Sequence, residues 1–485
     1  MKILLAIAPY ISDGIYPAGM NAPTARRGIN LIQGPTPSLG LLYIAAALKK
    51  AGHQAAYFEG AFYSIEDLKR RVAAEGPDLI GFTVTAPFWP ATAAAIKEIR
   101  TCFPRIKIAV GGKHVDLAAE TVMSECAGVD YACFGDGEIV LPNLCACLAR
   151  HARPADVKGV AFRKDGSTIK NRPETLVKNL DDLPFPDYDL IEFRRYSPSI
   201  GHYLRLPNMT MIGSRGCPHR CLFCTSDGAL RERSIPNILA EIELLVKKYG
   251  VKDILFYDED LTGGKDKKTN SPRLEEFCRR LLERKYDLTW SGNARADHVD
   301  GMDVKTLELM KKAGCWKLLF GLESGVQKNI NTLRKGFTVE QARRAVEKTA
   351  RAGIRPFCAF IFGIPGETYE EGLETVHFAR SLKGAEFALF LNFTPYPGTE
   401  AYEQLDNYGR LTSPLSEMTT SNITFVPHTM TGQQLQELYF LGIKSFYRRP
   451  AYILKRLLHT RSFDTLKQNI RGFRAFAMAK QPDVK

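Results

Sequence analysis

At 485 residues the chain is too long for one ordinary core, and its 45% hydrophobic and 25% charged side chains are those of a globular protein. No apolar run approaches the roughly 20 residues that span a bilayer, which excludes a helical membrane protein. The 11 cysteines are odd in number and scattered. That argues against a disulfide framework and for a reducing, cytoplasmic setting where thiols stay free or bind metal.

Residues 1–9 are apolar after Lys2, but Pro9 ends the run and no small-residue cleavage pattern follows, so they read as a buried first strand. Short aliphatic runs then alternate with helical patterns. Strands are predicted at 2–8, 54–58, 78–84, 106–110 and 131–134, with helices at 39–50, 65–74, 91–100 and from about 138. Such alternation predicts a doubly wound α/β unit over residues 1–150, whose ligand would sit at the carboxyl ends of the strands. Residues 151–205 read as a connector: a hairpin at 157–170 turning on Asp165-Gly166, then a proline-broken acidic stretch.

A second series follows over residues 206–404. Its strands are expected at 209–213, 253–257, 288–291, 317–322, 356–362 and 387–393, and helices at 238–249, 274–285, 339–352 and 369–382 lie between them. Six βα units are fewer than the eight of a closed barrel, so a partial TIM-like barrel fits, with a doubly wound sheet as the alternative. Residues 405–485 lack strand alternation and read as mostly helical. From Lys444 onward the net charge is +9, so the basic excess is concentrated in a tail.

The chemistry is carried by Cys217, Cys221 and Cys224, spaced C-x3-C-x2-C directly after the first strand of the second series. Three thiolates on one tight loop can converge on a metal, and three ligands on a [4Fe–4S] cube leave one iron open to a substrate. Zinc would call for a fourth ligand at finger-like spacing, and His219 inside the loop is poorly placed for it. Three bare cysteines on one loop would be an oxidation liability.

The loop strongly resembles the radical SAM superfamily, whose signature is C-x3-C-x-aromatic-C, with Phe223 in the aromatic slot. That resemblance covers roughly residues 206–400. It implies that the open iron chelates S-adenosylmethionine and that an electron from the cluster cleaves it to methionine and a 5′-deoxyadenosyl radical. It further implies adenosylmethionine contacts from Phe223, from Asn293 and Arg295 after the third strand, and from Glu323 and Ser324 in the Gly321-Leu322-Glu323-Ser324 run. Gly363 and Pro365 in the Gly363-Ile364-Pro365-Gly366 run complete the set, and an electron donor such as flavodoxin or ferredoxin is implied too. The acidic run Asp258-Glu259-Asp260 either faces the site or is a solvated loop.

The first domain resembles the Rossmann-like cobalamin-binding domain of the B12-dependent members of that superfamily. The matching residues are Leu39 and Gly40 opening the first helix, Thr83 and Thr85, Gly112 and His114, and Gly135, Gly137 and Glu138. No D-x-H-x-x-G segment supplies a histidine for cobalt, and His114 is either a corrin contact or an ordinary loop histidine. The resemblance implies a methyltransferase acting on carbon or phosphorus, or else a radical cyclase or ring-rearranging enzyme. A methylthiotransferase would require three more cluster cysteines in the first domain, and Cys102, Cys126, Cys133, Cys145 and Cys147 do not fall at its strand-end loops. A non-enzymatic carrier would have no use for Glu323 and Ser324.

In the tail, Ile453, Leu454, Leu457 and Leu458 share an apolar face beside Lys455, Arg456 and Arg461. That pattern predicts either a helix packed on the barrel or peripheral contact with an anionic membrane and a lipid-like substrate. No nucleic-acid motif accompanies the charge, and a small-molecule or lipid-like substrate is expected.

Overall fold

The computed structural model describes residues 1–9, 35–173, 176–196, 198, 201–226, 228–266, 268–414, 417–450 and 452–453. Among these, residues 1–9 and 37–192 fall in one compact unit, and residues 193–414 and 419–453 fall in a second.

In the first unit β1 (Lys2–Ile7), α1 (Leu39–Lys50), β2 (Gln54–Glu59), α2 (Ile65–Glu75), β3 (Leu79–Thr83), α3 (Trp89–Cys102), β4 (Lys107–Gly111), α4 (Lys113–Glu125), β5 (Tyr131–Cys133) and α5 (Gly137–Ala149) alternate. The strand order β2-β1-β3-β4-β5 is parallel and doubly wound, with its reversal between β1 and β3. Successive side chains of β1 leave opposite faces. Leu4 and Ala6 join the core under α2, α3 and α4, while Ile3 and Leu5 join the core under α1 and α5. Both faces are covered, which is why these strands read as continuous hydrophobic runs and not as alternation.

The hairpin read as part of a connector belongs to this sheet. β6 (Val160–Lys164) pairs antiparallel with β5, Cys133 opposite Val160, and β7 (Ser167–Lys170) closes the edge. Helix α4 was not legible in the sequence. Its apolar positions Val115, Ala119, Val122 and Met123 have helical spacing, but Ala118 breaks the helix with φ −140° and ψ 39°, and Gly111-Gly112 precedes it.

The second unit starts its sheet with β8 (Asn208–Met211). Two short strands, β9 (Ser214–Arg215) and β10 (Arg231–Glu232), then pair antiparallel across the base of the cysteine loop. α6 (Ile235–Tyr249), β11 (Asp253–Phe256), α7 (Ser271–Glu283), β12 (Thr289–Ala294), α8 (Ala296–Asp300), α9 (Val304–Lys312), β13 (Cys315–Glu323), α10 (Gln327–Thr332), α11 (Val339–Arg351), β14 (Arg355–Phe362), α12 (Tyr369–Ser381) and β15 (Phe387–Asn392) follow. The six strands lie in chain order, β8-β11-β12-β13-β14-β15, and every pair is parallel. Sequential order excludes the doubly wound alternative and gives the partial barrel. Capping boxes start α11 (Thr338 with Gln341) and α12 (Thr368 with Glu371), satisfying N–H groups the helix leaves open.

Beyond residue 405, where mostly helix is expected, β16 (Gly409–Leu411) and β17 (Phe425–Pro427) pair antiparallel before α13 (Gly432–Tyr447). Three-residue strands carry no alternation to read. α13 packs closely: a Cβ on Gly372 of α12 would lie 2.3 Å from Leu438, and one on Gly442 would lie 2.7 Å from Phe390 of β15. At the start of the basic tail, Phe446 is fully buried and the Tyr447 hydroxyl donates to the Ala388 carbonyl (2.8 Å) on β15. These two residues therefore pack on the barrel. Leu454, Lys455, Arg456, Leu457, Leu458 and Arg461 lie outside the described residues. No helix among the described residues is long and apolar enough to cross a membrane.

Candidate functional site

The cysteine loop is held at both ends and at its centre. Asp258, buried just past β11, accepts from the Gly213 N–H (2.8 Å) and the Ser214 hydroxyl (2.5 Å), and burial pushes its carboxyl up to about 6. On the returning side the Arg233 N–H donates to the Gly213 carbonyl (2.9 Å), and its guanidinium donates to the Ile212 carbonyl (2.8 Å) while paired with buried Glu241. In the middle, Leu222 is buried in a cluster with Leu333, Ile361, Ile364, Phe393 and Phe425. Its N–H donates to the Leu333 carbonyl (3.1 Å) and its carbonyl accepts from the Ala401 N–H (3.2 Å).

Around these anchors the three thiols stay uncommitted to one another as disulfides. Burial raises the Cys217 thiol to about 11 and raises Cys224 as well, so a bound metal would have to draw off their protons. Three free thiols on one anchored loop are the soft donors an iron–sulfur cluster takes, so the residues present fit the cluster.

Beside the loop, Phe223 packs edge-on to Phe393 with centroids 6.4 Å apart, and the Lys335 ammonium sits 5.9 Å from the Phe223 ring centre. Glu323 ends β13 at a register shift, with a left-handed φ of +65°, and its Oε1 accepts from Lys335 Nζ (2.8 Å). Burial pulls the Lys335 ammonium down, but the Glu323 and Cys221 charges outweigh it and hold its pKa above the ordinary value. Lys335 was missed in the sequence. It lies between α10 and α11, outside any motif, and its only sequence signal is the Arg334-Lys335-Gly336 turn.

The other sequence-predicted contacts divide. Arg295 is buried, and its fork is engaged by both Asp297 oxygens (3.1 Å each) and by the Lys335 carbonyl. Asn293 donates to the Asp258 carbonyl (2.8 Å). Ser324 is not placed as a ribose contact. It is fully buried, and its hydroxyl meets Thr375 (2.9 Å), the Val326 N–H (3.1 Å) and Asn329 (3.3 Å), which fixes the turn after Glu323. Gly363 and Pro365 are buried too. A Cβ on Gly363 would meet Leu435 at 3.1 Å, so this glycine serves its φ of +81° and the approach of α13. Asp258 and Asp260 are buried posts, which removes the solvated-loop reading for both.

In the first unit the strand-end residues also divide. Gly40 and Gly135 have open space where a Cβ would stand, and Thr85 is exposed. Gly112, at φ +98°, is hemmed in by Thr83 Oγ1 and the Val84 carbonyl (2.9 Å each), and Gly137 by Ile44 (2.7 Å). Leu39 is half-buried in the first turn of α1, and Glu138 is buried in the first turn of α5. His114 is neither a loop residue nor a surface contact. It lies in α4 at 4% exposure, its ring 6.0 Å from that of Trp89, and burial lowers its pKa. The open glycines and hydroxyl at the strand ends fit a flat ligand laid there. Cys133 and Cys145 are buried, with thiols raised to about 12 by burial.

The comparisons agree with both halves. A family model for the radical SAM superfamily matches residues 211–379, and one for a B12 binding domain matches residues 28–145. A Pyrococcus horikoshii protein named as an uncharacterized methyltransferase is 28% identical, over 93% of this chain and 96% of its own length. The anaerobic magnesium-protoporphyrin IX monomethyl ester cyclase of Rubrivivax gelatinosus is 28% identical over 79% of this chain and 69% of its own. In fold, the cobalamin-dependent S-adenosylmethionine radical enzyme OxsB is similar with a TM-score of 0.73 over 98% of this chain and 72% of that one, at 16% identity. With a B12-binding unit and a radical SAM unit in one polypeptide, the chain belongs to the cobalamin-binding radical SAM proteins, enzymes that work with a [4Fe–4S] cluster, S-adenosylmethionine and cobalamin.

Proposed function

We propose that this enzyme transfers a methyl group to an unactivated carbon or phosphorus of a small-molecule or lipid-like substrate, with electrons from a flavodoxin- or ferredoxin-type donor. The observation that carries the reading is similarity over 93% of the chain, both units included, to a protein named as a methyltransferase. When bound, the cluster, S-adenosylmethionine and cobalamin supply radical chemistry and a transferable methyl group.

In this reading Cys217, Cys221 and Cys224 hold the cluster, and Leu222 keeps their loop in register. Phe223 offers an apolar face to the adenosylmethionine. Lys335 takes its carboxylate, because Arg295 is already engaged by Asp297 whereas, among the described residues, one of the three ammonium donors of Lys335 is used, by Glu323. Glu323 orients that ammonium and accepts from the cofactor's amino group or ribose. Gly40, Thr85 and Gly135 offer the strand-end surface to cobalamin.

A second reading, radical ring closure without methyl transfer, is favoured by the match to the ester cyclase over 79% of the chain. Anaerobic incubation with methyl-labelled S-adenosylmethionine and a metabolite extract separates the two. Label in a product together with 5′-deoxyadenosine supports methyl transfer. An unlabelled new product with 5′-deoxyadenosine selects ring closure, and no 5′-deoxyadenosine refutes both. Contact of the basic tail with an anionic membrane surface rests on the sequence pattern beyond residue 453. Sedimentation with anionic vesicles tests it, and pelleting that ignores salt would rule it out.

A further inference from the structure

We infer that His219, Asp297 and His298 form a binding site for one divalent transition-metal ion, distinct from the cluster cysteines. One ligand atom of each lies within 4.8 Å of the other two. The three come from two elements: His219 from the cluster loop, and Asp297 and His298 from the first turn of α8 after β12.

Each ligand is held as a metal ligand would be. His298 is buried, and its Nδ1 is 2.7 Å from Asp260 Oδ2. Asp260 is in turn fixed by the Thr262 N–H (3.0 Å) and hydroxyl (2.7 Å). A carboxylate on one ring nitrogen sets the tautomer and aims the other, the arrangement that commonly backs a metal-binding histidine. That other nitrogen, Nε2, lies 3.9 Å from Asp297 Oδ2. Arg295 grips Asp297 through both oxygens (3.1 Å each), which fixes the carboxylate plane while leaving it lone pairs.

His219 supplies the observation that asks for a ligand. Its Nε2 is buried with no hydrogen-bond partner among the described residues, and its ring stands 5.4 Å from that of His298. An orphaned buried polar atom destabilises the fold, and an ion between the rings would satisfy it. Two imidazoles and a carboxylate suit zinc and its neighbours. Ligand atoms around a tetrahedral zinc are ~3.4 Å apart, so side-chain shifts of about an ångström close the site. The ion's charge would be met by Asp297 and Asp260, with Arg295 as the opposing cation. Bound there, it would tie the cluster loop to the carboxyl end of β12.

The test uses the full-length protein loaded anaerobically with its cluster, equilibrated with zinc, freed of excess, and assayed for iron and zinc together by mass spectrometry. The wild type is expected to hold about one zinc per chain with its iron count unchanged. His219→Gln and Asp297→Asn are expected to keep the iron and lose at least nine-tenths of that zinc. His298→Ala should do the same, but the first two carry the test because His219 and Asp297 are only partly buried and the Asp260–His298 pair survives in both. No zinc on the wild type, zinc that enters only as iron is lost, or equal zinc on wild type and His219→Gln would each overturn the assignment.

Discussion

Glu367 offers the sharpest test of the site's physical reading. Its carboxyl is fully buried below the Gly363-Ile364-Pro365-Gly366 turn, where Oε2 accepts from the N–H groups of Gly363 (2.7 Å) and Ile364 (3.2 Å). Burial outweighs those bonds and raises its pKa from 4.5 to about 8. A second feature points the same way: Asn329, 3.2 Å from Oε1, has a buried Oδ1 without a partner among the described residues, and turning its amide over would let that oxygen accept from a protonated Glu367. A group that keeps its proton in the fold up to about pH 8 but loses it near 4.5 when unfolded makes the fold less stable as pH rises between those values. From pH 4.5 to 7 the loss is about 3 kcal/mol, at ~1.4 kcal/mol per unit. Glu367→Gln keeps the acceptor and cannot ionise, so it should melt above wild type at pH 7, by at most about 10 °C, with the gap closing toward pH 5. Calorimetry at several pH values, with the fluorescence of buried Trp290 and Trp316 reporting on this unit, measures it. Glu367→Ala, which strands both N–H groups, should lose about 2–4 kcal/mol at any pH. If Glu367→Gln melts several degrees below wild type at pH 7, the side chain is an anion there and the reasoning fails.

Single Cys217→Ala, Cys221→Ala and Cys224→Ala variants should each lose most iron and all 5′-deoxyadenosine formation; full activity in any one removes that residue from the cluster. Lys335→Met should raise the KM for S-adenosylmethionine about 10- to 100-fold, the worth of a charged hydrogen bond, with partial recovery in Lys335→Arg. An unchanged KM would return the carboxylate to Arg295. His114→Ala should leave the absorption spectrum of bound cobalamin unchanged, since the ring is buried against Trp89, and a shift in the cobalt bands would reinstate it as a contact. Gly442→Val should cost about 1–3 kcal/mol in thermal unfolding, because its Cβ would stand 2.7 Å from the Phe390 ring.

What could be read from the sequence is what the chain arranges locally. The cysteine spacing needs one loop and no distant partner, and the parallel strands announce themselves as unbroken aliphatic runs, so both were legible. Strand order was not, because pairing is decided by crossovers that no single segment records. Lys335 was invisible for the same reason: only the return of the chain after α10 brings it to Glu323, twelve positions earlier. His114 was misread because Gly111-Gly112 looks like a loop and the break at Ala118 hides the helix that begins immediately after them. Asp258 and Asp260 look solvated as letters, since three acids in a row usually are. Their burial follows from hydrogen bonds to residues 214 and 298, which sequence distance conceals.

Burying Asp258 is costly, and the reason lies in the loop it serves. If Cys217, Cys221 and Cys224 hold the cluster as proposed, their loop must be placed before any iron arrives, and the thiols cannot organise it themselves. The fold therefore fixes the chain at points that carry no sulfur. Asp258 holds Gly213 and Ser214 at the entrance, Arg233 with Glu241 holds the exit, and the Leu333 and Ala401 backbone hold Leu222 between Cys221 and Cys224. Removing one partner of the buried Arg233–Glu241 pair would strand the other charge, at about 3–5 kcal/mol. Replacing both by apolar residues could preserve the fold while freeing the exit of the loop. Stability and cluster retention should therefore separate in the double replacement and fall together in the single ones, because the pair's contribution is positional: it keeps the returning strand where Cys224 can share a cube with Cys217.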